Sequence, residues 1–270
     1  MFPPDLPPVT NWPLYCWRVF VKWLSFFIFG LGSVLVAILV LPPMRLFCGS
    51  QLRFQKYGRS FISAAFRIFI GMMHGLGIVN YEPDNRDNYR NLKSKIIVAN
   101  HPSLLDVVML IAVIPNADCI VNAYLNRNIL TGVVRQLYIL NNPNFDELMH
   151  TCTESLKMGN CLIIFPEGTR TRRTGKVILK KGAARVALAS GCPIVPVNIG
   201  GTDKFGLGKK DPWRGFNTRE RYVYKLTMGN EISPLKYKNY CTSAAAKLLI
   251  NDIYASIFPL NAIQAQNSAI

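Results

Sequence analysis

Two short runs carry residues able to do chemistry. Asn100-His101-Pro102-Ser103-Leu104-Leu105-Asp106 sets one of the chain's three histidines five positions before a carboxylate, and Phe165-Pro166-Glu167-Gly168-Thr169-Arg170 packs a carboxylate, a glycine, a hydroxyl and a guanidinium into four residues. Histidine titrates near neutrality and so suits a general base. A carboxylate hydrogen-bonded to one imidazole nitrogen fixes the tautomer and stabilises the imidazolium formed when the other nitrogen takes a proton. Inside one helix, residues five apart point about 140° away from each other, so such a pair needs a turn between its members. Val98-Ala99 reads as a strand end and Pro102 suits a first helical position. That places His101 on the strand-to-helix turn and Asp106 on the helix behind it. A capping histidine and a helix-start Asp would leave the same sequence.

The second run follows the apolar stretch Cys161–Phe165, where active sites of open α/β sheets lie. Glycine lets backbone approach a ligand, and Arg170 offers a planar fork for phosphate or carboxylate. Glu167 suits accepting from a hydroxyl or locking Arg170. A surface turn with a local ion pair is the plainer reading of each residue alone. Lys180 and Lys181 open the next helical segment, Leu179-Lys180-Lys181-Gly182-Ala183-Ala184, and suit either a phosphate or a solvated helix start. The basic run Thr171–Lys176 reads as a loop suited to membrane or carrier contact, or to plain solvation.

The elements that position these residues are legible as alternation. Short apolar runs at Ile96–Ala99, Cys119–Asn122, Cys161–Phe165, Ile194–Ile199 and Tyr222–Thr227 read as strands. Leu104–Val113, Ile129–Leu137, Leu148–Met158, Ala183–Ala189 and 242–257 read as helices. The pattern predicts an α/β fold: a mixed, largely buried sheet flanked by helices. Residues 82–95 read as a surface loop. The expected organisation is a proline-rich arm plus membrane helix over 1–59, a core domain over 60–235, and a C-terminal helical segment over 236–270.

The front end sets the surroundings. Trp23 to Leu41 is nineteen residues without a charge, about one bilayer of helix, and is expected to stop at Pro42-Pro43. Arg18 and Lys22 precede it, and Arg45, Arg53, Lys56 and Arg59 follow, which favours a cytoplasmic far side. The proline-rich start bearing Asp5 argues against a cleaved signal peptide. Residues 60–78 suit an amphipathic or shallowly inserted helix, with a buried core helix as the alternative. The net charge of +16 predicts attraction to anionic lipid or to an acidic carrier protein. The aromatic residues gather in the greasy front end, which argues against nucleic acid. Seven scattered cysteines with no Cys-x-x-Cys pair point to reduced thiols, with neither a disulfide framework nor a zinc site.

The four blocks Asn-His-Pro-Ser-Leu-Leu-Asp, Phe-Pro-Glu-Gly-Thr-Arg, Leu-Lys-Lys-Gly-Ala and Val-Pro-Val, in this order, resemble the glycerolipid acyltransferase family, PlsC-type 1-acylglycerol-3-phosphate acyltransferases among them. The resemblance covers roughly residues 60–235. It implies that His101 deprotonates an acceptor hydroxyl, which attacks an acyl thioester with no acyl-enzyme, and that Asp106 supports His101. By position, Glu167, Gly168, Thr169 and Arg170 bind the polar, usually phosphorylated, acceptor, with Lys180 and Lys181 as further candidates. It implies no bound cofactor or metal: acyl-CoA or acyl carrier protein is a co-substrate, and a lysophospholipid the acceptor. Amides near the first block are the expected oxyanion donors. The expected location is a cell inner membrane, active domain on the cytoplasmic side.

The chain departs from the family between the first two blocks. Asparagines, in Val121-Asn122-Ala123-Tyr124-Leu125-Asn126-Arg127-Asn128 and Tyr138-Ile139-Leu140-Asn141-Asn142, stand where a lysine and an arginine usually grip phosphate, and Arg127 and Arg135 lie at other positions. The variant resembles acyltransferases of polyene or glycolipid pathways, which keeps a non-phosphorylated acceptor open. A thioester hydrolase is a further alternative, because the same base would activate water. No Gly-x-Ser-x-Gly elbow supports a serine nucleophile.

Overall fold

The structure, a computed structural model, describes residues 7–122, 136–141, 144–172 and 177–258. Seven strands form one sheet: β1 (Val79–Pro83), β2 (Ile96–Ala99), β3 (Ala117–Asn122), β4 (Ile139–Asn141), β5 (Cys161–Ile164), β6 (Ile194–Gly200) and β7 (Tyr222–Met228). Their order is β1-β7-β6-β2-β5-β3-β4. Only the β6–β7 pair is antiparallel, so the sheet is mixed, as the sequence predicts.

Helices cover both faces, and each strand supplies both layers by alternation. Ile97 and Ala99 of β2 join one core cluster, and Ile96 and Val98 the other. The first cluster packs against α3 (Gln51–Gly75) and α5 (Asp106–Val113). The second packs against α6 (Phe145–Lys157), α7 (Gly182–Ser190) and α8 (Thr242–Ile257). Leu249, Ile253 and Ile257 of α8 are fully buried there. The sequence segment Ile129–Leu137 falls largely outside the described residues, as do Arg127, Arg135 and Arg173–Lys176.

The front end differs from expectation in three ways. Pro42-Pro43 does not end the first helix. Helical structure runs from Trp12 to Phe47 as α1 (Trp12–Leu35), a π-turn over Val36–Val40, and α2 (Leu41–Phe47). The prolines remove two donors and crowd the turn before them. The wider turn, closed by Leu41 N–H on the Val36 carbonyl, absorbs that conflict. By length and composition this 36-residue helix can cross a bilayer.

Second, α3 begins at Gln51, capped by Ser50, and its inward face is core: Phe54, Ile62, Phe69, Ile70 and Met73 are buried. The 59/60 division therefore falls inside one helix. Its other face still shows apolar groups, Ile68 being 75% exposed. Arg59 belongs to the core face, ion-paired to Asp118 at 2.7 Å, so it adds no surface charge to the basic flank. Third, residues 82–95 are not a plain loop. They hold the end of β1 and α4 (Arg86–Arg90), capped by Asn85, with Tyr89 buried beneath.

The start of the long helix is docked on the domain. Lys22 donates to the carbonyls of Trp213 (2.6 Å) and Gly215 (2.5 Å), and Trp23 meets Trp213 edge-on at 4.7 Å. Phe27, Leu31, Leu35, Ile38 and Leu39, farther along, are exposed.

Candidate active site

The two chemical blocks meet because β2 and β5 are parallel neighbours in register, Val98 beside Ile164. Each block begins where its strand ends, so both emerge at the same edge of the sheet. Asn100 ties the first block down: its amide donates to the Ile199 carbonyl and accepts from the Ile199 N–H, adding a side-chain rung to β6.

His101 lies on the turn after β2, with its ring stacked on Phe165 at 4.2 Å. Its Nδ1 is 2.7 Å from Asp106 Oδ2. Bonding to an ionised carboxylate places the proton on Nδ1 and leaves Nε2 as the basic nitrogen. Asp106 is fully buried, while the His101 side chain is 17% exposed. The helix start lies later than expected: α5 begins at Asp106, and Pro102 and Ser103 belong to the turn before it. The cause is local. Asp106 turns back on that loop, taking the Ser103 N–H on Oδ2 (2.7 Å) and the Ser103 hydroxyl on Oδ1 (2.6 Å).

The amides of this turn are not free for an oxyanion. His101 N–H donates to Glu167 and Thr171, Ser103 N–H to Asp106, Leu104 N–H to the Leu207 carbonyl and Leu105 N–H to Ser103 Oγ. Pro102 has none. These amides are thus all engaged within the protein, against the expectation that they would hold an oxyanion.

In the second block the roles are divided differently from the sequence reading. Glu167 does not pair with Arg170. Its buried carboxylate accepts from the Thr171 hydroxyl (2.6 Å) and the His101 N–H (3.1 Å), bracing one block against the other. Burial pushes the Glu167 carboxyl up from its ordinary value, and the Thr171 and His101 hydrogen bonds offset part of that. Arg170 Nη1 donates to the carbonyls of Leu207 and Gly208, both at 2.9 Å, fastening the loop between β6 and β7 over the site. Gly168 holds φ +65°, and an added Cβ would come within 3 Å of the Lys180 ammonium. Lys180 thus lies over the block. Lys181 is exposed at the start of α7, and no hydrogen bond defines a role for Thr169.

Sequence reasoning missed Asn100, Ser103, Thr171, Lys204 and Tyr224. Tyr224 O–H meets Ser103 Oγ at 2.7 Å, and Lys204 Nζ lies 4.8 Å from the Tyr224 ring centroid. Asn100 and Ser103 stand inside the first motif and Thr171 directly follows the second, so all three were within reach of a wider reading. Lys204 and Tyr224 lie about a hundred residues on, with nothing local to mark them.

Comparison with known proteins agrees with this architecture. A family model described as Acyltransferase matches residues 81–200. A probable 1-acyl-sn-glycerol-3-phosphate acyltransferase of Mycoplasma genitalium is 25% identical over 184 residues, 63% of this chain and 69% of that one. A 1-acyl-sn-glycerol-3-phosphate acyltransferase of Cocos nucifera is 33% identical over 118 residues, which is 40% of this chain and 37% of its own length. The crystal structure of PlsC, the 1-acyl-sn-glycerophosphate (LPA) acyltransferase of Thermotoga maritima, superposes with a TM-score of 0.63. It is 20% identical, covers 87% of this chain and 96% of that one, and at that identity speaks to fold alone.

Proposed function

We propose that this chain, similar to the acyltransferases above, transfers a fatty acyl chain from an acyl thioester to a lipid hydroxyl. The observation that carries the mechanism is the 2.7 Å contact of His101 Nδ1 with buried Asp106, which leaves Nε2 free. Nε2 takes the acceptor's hydroxyl proton as the oxygen attacks the thioester carbonyl. The tetrahedral intermediate collapses, the C–S bond breaks, and the departing thiolate takes the proton back from the imidazolium. Asp106 orients the ring and stabilises its charged form throughout.

The acceptor we favour is a 1-acylglycerol-3-phosphate or another lysophospholipid, the substrate class printed in the relatives' names. Acyl-CoA or acyl carrier protein supplies the acyl chain. Arg170 and Lys180, close to Gly168, are the cations we favour for a phosphate. A second reading has one specific support. Asn122 and Asn141, which stand where basic residues are usual, are register partners at the ends of β3 and β4. The Asn141 amide there, in place of a cation, favours an uncharged, hydroxyl-rich headgroup.

We place the protein on a cell inner membrane with its catalytic domain at the cytoplasmic face. The apolar helix Trp12–Phe47 and the net charge of +16 support this. The test offers acyl-CoA and acyl carrier protein thioesters to the purified protein, with lysophosphatidic acid and a non-phosphorylated glycolipid as acceptors, and reads products by mass spectrometry. Acyl-lipid is expected. Free fatty acid alone would mean a hydrolase.

A further inference from the structure

We propose that Tyr224 and Lys204, acting through Ser103, are positioning residues that hold down the proton affinity of the His101–Asp106 pair. This rests on His101 being the base of acyl transfer.

The hydrogen-bond directions are forced. Ser103 Oγ has one proton, and Asp106 Oδ1 at 2.6 Å is an ionised acceptor, so the serine proton goes there. The Tyr224 hydroxyl, 2.7 Å from the same Oγ, must then donate. Leu105 N–H takes the second lone pair of that oxygen at 3.2 Å. Ser103 is thereby saturated, and Asp106 receives three donors at 2.7 Å or less: the Ser103 hydroxyl and N–H, and His101 Nδ1. Tyr224 is fully buried on β7, and burial together with the Asp106 charge pushes its phenol well above the ordinary range, so it stays a donor.

Beneath the ring sits a buried cation. Lys204 Nζ spends its three protons on the carbonyls of Gly200 (3.2 Å), Thr202 and Val223 (2.7 Å). It lies over the Tyr224 face, where it polarises the phenol toward donation. Burial lowers the Lys204 ammonium to about 8, and the charges of Asp106, Asp203 and Glu220 offset part of that. Asp106 on α5 bonds His101 Nδ1, and Glu167 after β5 accepts the His101 N–H. Lys204 and His101 therefore both feel the Asp106 carboxylate, and the positive charge of Lys204 opposes a second one on His101. Without that opposing charge, Asp106 would favour the imidazolium more strongly.

The experiment is a nuclear magnetic resonance titration of ring-labelled His101, beside the pH profile of kcat. In Lys204→Met the His101 pKa and the acid limb of kcat are expected to move up together by about one unit. Tyr224→Phe, which keeps the ring and the packing, should move both the same way by about half a unit. Lys204→Arg should restore the wild-type position. Limbs and titrations that superimpose on wild type in folded Tyr224→Phe and Lys204→Met, with only a uniform drop in rate, would overturn the proposal. Full activity in His101→Ala would instead remove the catalytic reading beneath it.

Discussion

Two carboxylate–cation pairs, both at 2.7 Å, sit on opposite sides of the line between structure and chemistry. In Arg59–Asp118 both side chains are sealed, at 4% and 6% exposure. Asp118 also accepts from the Ser155 hydroxyl and the Cys119 N–H. Its cation does not titrate in any accessible range, so the pair can only clamp α3 to β3. In His101–Asp106 the carboxylate is buried as well, but its partner is an imidazole, a group able to exchange a proton, and that side chain is 17% exposed. Distance does not separate a clamp from a catalytic pair. Access and titratability of the positive member do.

His101→Ala breaks the comparison at its strongest point. The rate of acyl transfer should fall by about 10³-fold with little change in melting temperature, read by steady-state kinetics and thermal unfolding. Asp118→Ala should do the reverse: about 3–5 kcal/mol lost in urea unfolding, because Arg59 is left buried and unpaired, with unchanged rate per folded molecule. A rate loss in the clamp variant, or a stability loss in the base variant, would erase the distinction.

Arg170→Lys is expected to raise the acceptor KM about tenfold, since one ammonium cannot hold the Leu207 and Gly208 carbonyls as Nη1 does and still offer a planar fork. Gly168→Ala should cost about 1–3 kcal/mol from φ +65° alone, with Lys180 displaced as well.

The smallest effect is a pH dependence. Burial raises the Glu167 carboxyl, so the folded state keeps that proton to higher pH than the unfolded chain does. The group's favourable contribution is complete below the unfolded value near 4.5 and is lost as pH rises through the raised one. Glu167→Gln retains the acceptor oxygen without the buried charge. Its stability relative to wild type should therefore rise between pH 4 and neutrality, as urea midpoints would show. A flat difference would mean that the brace carries no desolvation cost.

Much of this was legible in the chain. The strands at Ile96–Ala99, Cys161–Ile164, Ile194–Gly200 and Tyr222–Met228 are short apolar runs of the expected length. The helix over Thr242–Ile257 follows its apolar spacing. The prolines misled because a π-turn, a backbone adjustment with no sequence signal of its own, lets the helix run through them. Helix α3 was ambiguous because apolar groups occupy both of its faces, and only packing decides which face meets the sheet.

By itself the sequence determined which groups are on offer: a histidine, a carboxylate five residues on, an arginine-bearing loop and a long apolar helix. Residue type and local period fix those things, and both are properties of short stretches. Tertiary structure alone decided who partners whom. Parallel register of β2 with β5 brings Glu167 to His101 and away from Arg170. The β6–β7 pairing brings Tyr224 to Ser103, the partner of Asp106. Those contacts join residues about seventy to a hundred and twenty positions apart. No local rule spans such separations, because buried polar groups take whichever partner the fold brings within reach.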